Sequence, residues 1–255
     1  MKVVFVTQND PFYTKFFFER YLQIYPQIDY ELTAVLFLPP MNDSLLKLVR
    51  RTLDFYGKKN FIRLGVRYSL TKIGEKFGLK TTALNKIKQA GIPVRKITDT
   101  NAAHLLEWFR ENETDIIVSV SAPQIFKTEL LKAPKLACIN IHSGKIPTYR
   151  GLFPNFWQMK NNEHHSTVTF HEMAAKLDKG NIIKEYDVEI GKTDSLTDLI
   201  RKTKHTAAEK IGEVIALYAK GKVQTYEHTN LQEHYYKFPA KTDVAEFLKS
   251  GKRIL

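Results

Sequence analysis

Short apolar runs alternate along the chain with stretches of helical spacing. Lys2–Val6 is a β-branched run that predicts a buried strand. Over Tyr13–Tyr25, residues Phe16, Phe17, Tyr21, Leu22 and Tyr25 recur at helical intervals, and Pro26 stops the pattern. Leu32–Leu38 is a second apolar strand closed by Pro39 and Pro40, so the chain opens as strand, helix, strand, a βαβ start. The spacing then predicts a helix at Thr82–Ala90 ended by Gly91, a strand at Pro93–Ile97, and a helix at Asn101–Glu111 with Asn101 as its cap. Asp115–Val120 is nearly continuous in apolar residues, as befits a central parallel strand buried on both faces. A helix near Thr128–Lys132, a strand at Leu136–Ile141 and a long loop carrying Pro147, Gly151 and Pro154 follow. Ser166–His171 and Asn181–Val188 alternate like the strands of a hairpin, and Leu196–Lys220 reads as a long helix closed by Gly221. The remainder is rich in Tyr, His, Lys and Glu and has little periodicity. The predicted fold is α/β: a twisted, mostly parallel, Rossmann-like sheet flanked by helices, with an antiparallel end. One main domain is expected over 1–222, with a helical insertion at about 42–81 and a short C-terminal appendage over 223–255.

The insertion changes the picture through its charge. Leu46, Leu48, Val49, Leu53 and Phe55, then Phe61, Leu64, Val66, Leu70 and Ile73, recur every three or four positions and predict one or two amphipathic helices. Between Asn42 and Thr81 lie ten basic residues against Asp43, Asp54 and Glu75. They account for more than half of the net +12 of the 255-residue chain. Such an excess suits an anionic partner or a solvated surface, and the arithmetic does not separate the two. With 43% hydrophobic and 26% charged residues, wholesale disorder is excluded. No apolar run approaches the ~18 residues of a membrane span. The N-terminus turns polar too soon for a signal peptide. Cys138 is the single cysteine, which excludes an internal disulfide and a multi-cysteine zinc site and points to a reducing, cytoplasmic setting.

Two blocks carry candidate chemistry. In the first, Asn140-Ile141-His142 ends a strand, so Asn140 and His142 at i and i+2 point to one face at the carboxyl end, where open α/β sheets place ligands. A carboxamide beside an imidazole offers a fixed donor and a titratable group, a pair suited to attack on a carbonyl carbon. In the second, Asp178 opens a turn with Gly180 before a strand, and a hairpin return can bring it back beside His142.

Together, Asn140, His142, Pro147 and Gly151, then Leu177, Asp178, Gly180, Ile182 and Ile183, give a pattern that resembles the N10-formyltetrahydrofolate-dependent formyltransferases. These include the glycinamide ribonucleotide, methionyl-tRNA and amino-sugar enzymes, with formyltetrahydrofolate hydrolases as relatives. The likeness covers roughly Ala90–Lys222 well and Met1–Leu38 loosely. One position departs: the family's serine usually sits two residues after the histidine, whereas here Ser143 and Gly144 are in swapped order. The resemblance implies Asn140 and His142 as oxyanion donors and Asp178 as support for the imidazolium. It implies a pterin cleft at Gln124, Ile125 and Phe126 on one loop and Ala174, Ala175 and Leu177 on another. N10-formyltetrahydrofolate is the implied co-substrate, and no metal is required. Tyr149 and Arg150, in a Tyr-Arg-Gly context with Pro154 and Trp157, resemble the sugar and tRNA branches and are expected to help set the acceptor pocket. Only Val223–Leu255 follow the last long helix, too little for the extra barrel of the tRNA branch, so a small anionic nucleotide-linked amino sugar is the expected acceptor and nucleic acid is not. Methionyl-tRNA or another amine as acceptor, formyltetrahydrofolate hydrolysis, and a non-catalytic anion-binding protein on the same scaffold are the alternatives. The basic insertion is expected to lie peripheral to the chemistry, against a nucleotide diphosphate, a lipid headgroup or RNA phosphates. The aromatic tail, with Tyr226, Tyr235, Tyr236 and Phe238, can dock on a second copy.

Overall fold

Successive strand residues enter two different apolar layers. Val3 and Phe5 pack into one, Val4 and Val6 into the other; Val35 and Phe37 alternate with Ala34, Leu36 and Leu38 in the same way. This period of two is what a sheet covered by helices on both faces demands. The computed structural model describes residues 1–8, 10, 12–39, 45–77, 82–175 and 178–255. In chain order they form β1 (Lys2–Gln8), α1 (Thr14–Ile24), β2 (Glu31–Leu38), α2 (Leu45–Lys76), α3 (Ala83–Gln89), β3 (Val94–Lys96), α4 (Ala103–Glu111), β4 (Ile116–Val120), α5 (Thr128–Leu131), β5 (Ala137–His142), β6 (Arg150–Gly151), α6 (Pro154–Lys160), β7 (His165–Glu172), β8 (Ile182–Glu189), α7 (Leu196–Ala219), β9 (Tyr235–Tyr236) and α8 (Lys241–Lys249). Seven strands make one sheet in the order β3-β2-β1-β4-β5-β7-β8. The first five run parallel, and β7 and β8 close the edge antiparallel. The fold is therefore the α/β sheet with an antiparallel end that the hydrophobic pattern predicts.

The helices are held by their own apolar faces. Phe17, Phe18 and Tyr21 of α1 and Leu199, Ala207, Ala208 and Ile211 of α7 are buried in one layer, while Leu105 and Phe109 of α4 and Leu130 of α5 are buried in the other. Ser195 caps α7: its hydroxyl accepts from the Asp198 amide, and the Asp198 carboxylate accepts from the Ser195 amide. α4 starts one residue later than its sequence suggests. Ala102 is its cap, and the Asn101 carboxamide is spent elsewhere, accepting from the Lys127 amide at 2.8 Å and donating to the Ile125 carbonyl at 3.0 Å. It thereby pins the loop after β4 to the loop before α4.

Two helices were not visible in the sequence pattern. α6 lies within the proline- and glycine-marked stretch expected to be loop, and α8 lies in the tail. Neither is a bystander: Phe156 of α6 and Phe247 of α8 are fully buried and stack at 4.8 Å between ring centres. α2 is two helical segments broken at Gly57, which adopts φ 71°, ψ 162°. Phe55, just before the break, meets Phe153, Phe156 and Phe238, which anchors α2 to the body of the protein. Among the described residues no helix is long and apolar enough to cross a membrane.

Candidate active site

β5 delivers Asn140 and His142 to the carboxyl edge of the parallel sheet, on the face opposite the buried Ile139 and Ile141. The antiparallel pairing with β7 places His171 directly opposite Asn140. Asp178, from the connection between β7 and β8, comes back to the same point. Its Oδ1 lies 3.4 Å from Asn140 Nδ2 and 3.8 Å from both His142 Nδ1 and His171 Nε2. The three residues of the sequence motif are thus brought together, with His142 6% and Asp178 8% exposed.

The hydrogen bonds around them set which atom offers what. The His142 Nε2–H donates to the Tyr149 carbonyl at 2.6 Å, which leaves Nδ1 facing the Asp178 carboxylate. A proton on Nδ1 lies between the imidazole and that carboxylate. His171 donates from Nδ1 to the Glu172 carbonyl at 2.8 Å, so its Nε2 lone pair accepts from Asn140 Nδ2 at 3.1 Å. Burial pushes the His171 imidazole down to about 4, outweighing the pull of Asp178, and the ring stays neutral as an acceptor. This fixes the carboxamide: one Nδ2–H is committed to His171, and the other makes only the long contact to Asp178. The sequence pattern marks His171 only as the end of the Ser166–His171 strand. Its register puts it against Asn140, and nothing in the sequence announces a cross-strand register.

Backbone geometry explains the glycines. Asp178 sits in the left-handed region at φ 49°, and its Oδ2 accepts from the Gly151 amide at 2.9 Å. Gly151 has φ 95°, and a Cβ there would lie 2.2 Å from the Tyr236 carbonyl oxygen, so no other residue fits. At Gly144 a Cβ would meet Pro154 Cβ at 2.7 Å and the Tyr149 carbonyl oxygen at 2.9 Å. The loop here has packed around a glycine, and a serine in that position would clash with this backbone.

Asn140, His142 and Asp178 line a cavity of about 780 Å³. Gln124, Ile125 and Phe126 line it from the loop after β4, and Met173 and Ala174 from the end of β7. The Gln124 carboxamide faces inward to the fold, bonding Thr100 and the Thr98 carbonyl, and Phe126 is 1% exposed within the second apolar layer, so both hold the loop, whereas Ile125 projects from it. Ala175 is exposed and does not line the cavity, and Leu177 lies outside the described residues. Tyr149 and Arg150, expected at the acceptor pocket, do not line it either. The Tyr149 hydroxyl donates to Glu163 at 2.6 Å, and the buried Arg150 guanidinium pairs with Glu233 of the C-terminal segment, which β6 runs beside. Among the described residues no cluster of three or more metal-ligating side chains is found.

Two features of the cavity escaped sequence reasoning. The first is its outer wall. Arg51, Thr52, Phe55, Tyr56, Phe61 and Leu64 of α2 line it, so the insertion is no peripheral element. Tyr56 reaches α1's entrance and shares a short hydroxyl–hydroxyl bond with Tyr13; burial pushes the Tyr56 phenol up to about 12. The second is Lys204 of α7, 8% exposed, whose Nζ donates to Ser121 Oγ at 2.7 Å. Burial lowers its amine to about 8, opposed by the nearby Asp10 carboxylate. The signal was present: Lys204 falls in the stripe of Ile200, Thr203, Ala207, Ala208 and Ile211, where a lysine does not belong. Asp10 itself accepts from the amides of Phe12, Tyr13 and Thr14, so the start of α1 already holds an anion.

Residues 72–215, more than half of the chain, match the family model described as formyl transferase. The chain is 27% identical over 164 residues to the bifunctional polymyxin resistance protein ArnA of Wigglesworthia glossinidia brevipalpis, covering 64% of this chain and 25% of that protein. It is 26% identical over 184 residues to the methionyl-tRNA formyltransferase of Bacillus mycoides (strain KBAB4), covering 71% of this chain and 59% of the relative. The chain thus spans less than two thirds of either relative. In fold it is similar to an N-formyltransferase from Helicobacter canadensis solved with folinic acid and dTDP-3-aminofucose. That match has a TM-score of 0.54 at 19% identity and covers 92% of this chain and 70% of that one.

Proposed function

The chain belongs to the formyl transferase family, and from that premise we propose that it moves a formyl group from N10-formyltetrahydrofolate to a primary amine. The observation that carries this reading is the convergence of Asn140, His142 and Asp178 at one edge of a cavity large enough for a folate headgroup and an acceptor. In the balanced reaction a C–N bond forms to the amine, the bond to N10 breaks, and the amine proton ends on N10. The folate supplies the activated formyl group. The loops of Ile125 and of Met173 and Ala174 fit its pterin, because they border the cavity with apolar side chains and backbone groups.

The residues then have separable tasks. The Asn140 carboxamide, oriented by His171, exchanges its long Asp178 contact for the developing oxyanion. His142, held by the Tyr149 carbonyl, points Nδ1 at Asp178, so a proton shared between the two offsets the oxyanion's charge while the intermediate lasts. Asp178, anchored by the Gly151 amide, balances positive charge on the imidazole, accepts the proton leaving the amine and passes it to N10 as the bond to N10 breaks.

For the acceptor, an amino sugar carried on a nucleotide is the favoured class. Lys204 supplies a cation inside the cavity, which suits an anionic substrate, and the Helicobacter canadensis relative was solved with such a compound. The test is release of tetrahydrofolate from N10-formyltetrahydrofolate, measured with nucleotide-linked amino sugars, glycinamide ribonucleotide and methionyl-tRNA in turn. Acceptor-dependent release with an amino sugar supports the reading. Release without any acceptor makes the protein a hydrolase, and release with methionyl-tRNA alone replaces the sugar.

A further inference from the structure

The inner and outer faces of α2 have different partners. Beyond Gly57, the inner side chains Phe61 and Leu64 line the cavity. On the outer side Ile62, Val66, Leu70 and Ile73, with Phe77 just past the helix end, are 65%, 55%, 62%, 50% and 83% exposed. They recur at steps of four, four, three and four residues, which places all five on a single stripe. Nine of the fifteen large apolar side chains exposed among the described residues fall between Leu46 and Phe77, and seven of those nine, all but Leu48 and Tyr68, lie away from the cavity. Such clustering marks a contact surface. Lys58, Lys59, Arg63 and Arg67 are exposed on the same segment, within and alongside the stripe.

We propose that this outer face of α2 docks on the surface of an anionic lipid bilayer. An apolar stripe bordered by cations is what a helix lying in the membrane interface needs: side chains to enter the acyl boundary and charges to meet the headgroups. The other occupants fit less well. A second copy would bring two sets of cations together across the stripe. RNA would meet the cations but gain nothing from four aliphatic side chains, since single-stranded bases stack on aromatic rings. The proposal is independent of the catalytic reading. It also adds a location to it, because the docked segment walls the cavity and brings its outer wall against the headgroups.

The experiment is sedimentation of the full chain with vesicles of equal parts phosphatidylglycerol and phosphatidylcholine, and with phosphatidylcholine alone. Binding is expected to the anionic vesicles, to be far weaker on neutral ones, and to fall with added salt. Ile62→Glu/Val66→Glu/Leu70→Glu should lower partition by on the order of 10²-fold, and so should Lys58→Gln/Lys59→Gln/Arg63→Gln/Arg67→Gln. None of these residues lines the cavity, so both variants should keep the parent's melting temperature and its binding of a folate analogue. Failure of the parent to bind anionic vesicles overturns the proposal, as does undiminished binding by both variants. A parent dimer that the glutamate variant splits overturns it too, by giving the stripe to a second copy.

Discussion

At the scale of single residues, the site is a division of hydrogen-bonding labour, and each part has its own signature on substitution. On the proposed mechanism, Asn140→Ala removes one oxyanion donor and should lower kcat by about 10²–10³-fold, the usual loss for such a donor. His142→Ala should be at least as severe, and the combined variant should lose little more than either alone, because the groups act as a unit. Near-normal turnover of His142→Ala at saturating substrates would end the assigned chemistry. His171 gives a different readout. Its folded pKa, about 4, lies below the ordinary 6.5, so on acidification the unfolded chain takes up the proton first. The stability this neutral ring contributes is complete above about pH 6.5 and is lost as pH falls toward 4, by something like 3 kcal/mol in all. His171→Gln keeps an acceptor for Asn140 but cannot titrate. Urea midpoints at neutral and mildly acid pH should therefore differ less in the variant than in the parent, and equal slopes would show that His171 is not the titrating group. Strand periodicity gave Asn140 and His142 a shared face, but it was the resemblance of the whole Asn140, His142, Pro147, Gly151 and Asp178 pattern to a known family that singled them out. Asp178 followed because a hairpin return has few places to go. His171 did not, since its role depends on which β5 residue it faces, and that register is written in the packing of two strands.

At the scale of elements, the outcome turned on which helices had a strong pattern of their own. α1, α4 and α7 each bury an apolar stripe against the sheet, so spacing alone located them. α6 and α8 are short, and their buried rings, Phe156 and Phe247, find each other across the fold rather than along the chain. α2 was visible as a helix, but its inner role was not, because a basic surface hides an apolar inner face in any composition count. Lys204 shows the cost an element bears for a buried cation. Its amine sits at about 8 against an ordinary 10.5, so near neutrality the fold holds a charge that its surroundings disfavour. Stability should rise as pH climbs from about 8 toward 10.5, where the unfolded chain still holds the proton that the folded chain has shed. Lys204→Met should raise the melting temperature at neutral pH by several degrees while raising KM for an anionic acceptor and leaving folate binding unchanged. A variant that is less stable than the parent, with an unaltered KM, would make Lys204 a packing residue.

At the scale of the whole molecule, the C-terminal segment closes the site from behind. The His234 amide donates to the Pro147 carbonyl, the Arg150 amide to the His234 carbonyl, and the Leu152 amide to the Tyr236 carbonyl. Tyr236 stacks on Tyr149 and Trp157, and Phe238 packs on Phe55 and Phe153. Glu233 joins Arg150 and Lys179, one from each of the two stretches that carry site groups. The tail thus fastens the loop whose Tyr149 carbonyl holds His142 and whose Gly151 amide holds Asp178. The tail's aromatic residues, read from sequence as a surface for another copy, are in part committed to this internal loop. On the proposed mechanism, Glu233 then acts as a positioning residue. Glu233→Ala should lower kcat by on the order of 10-fold to 10²-fold through small displacements of His142 and Asp178, with KM for the folate little changed. Glu233→Gln, which can still accept from Arg150, should recover part of the loss. The split between kcat and KM is the decisive measurement, because a merely structural contact would lower the melting temperature of both variants and leave turnover per folded molecule where it was.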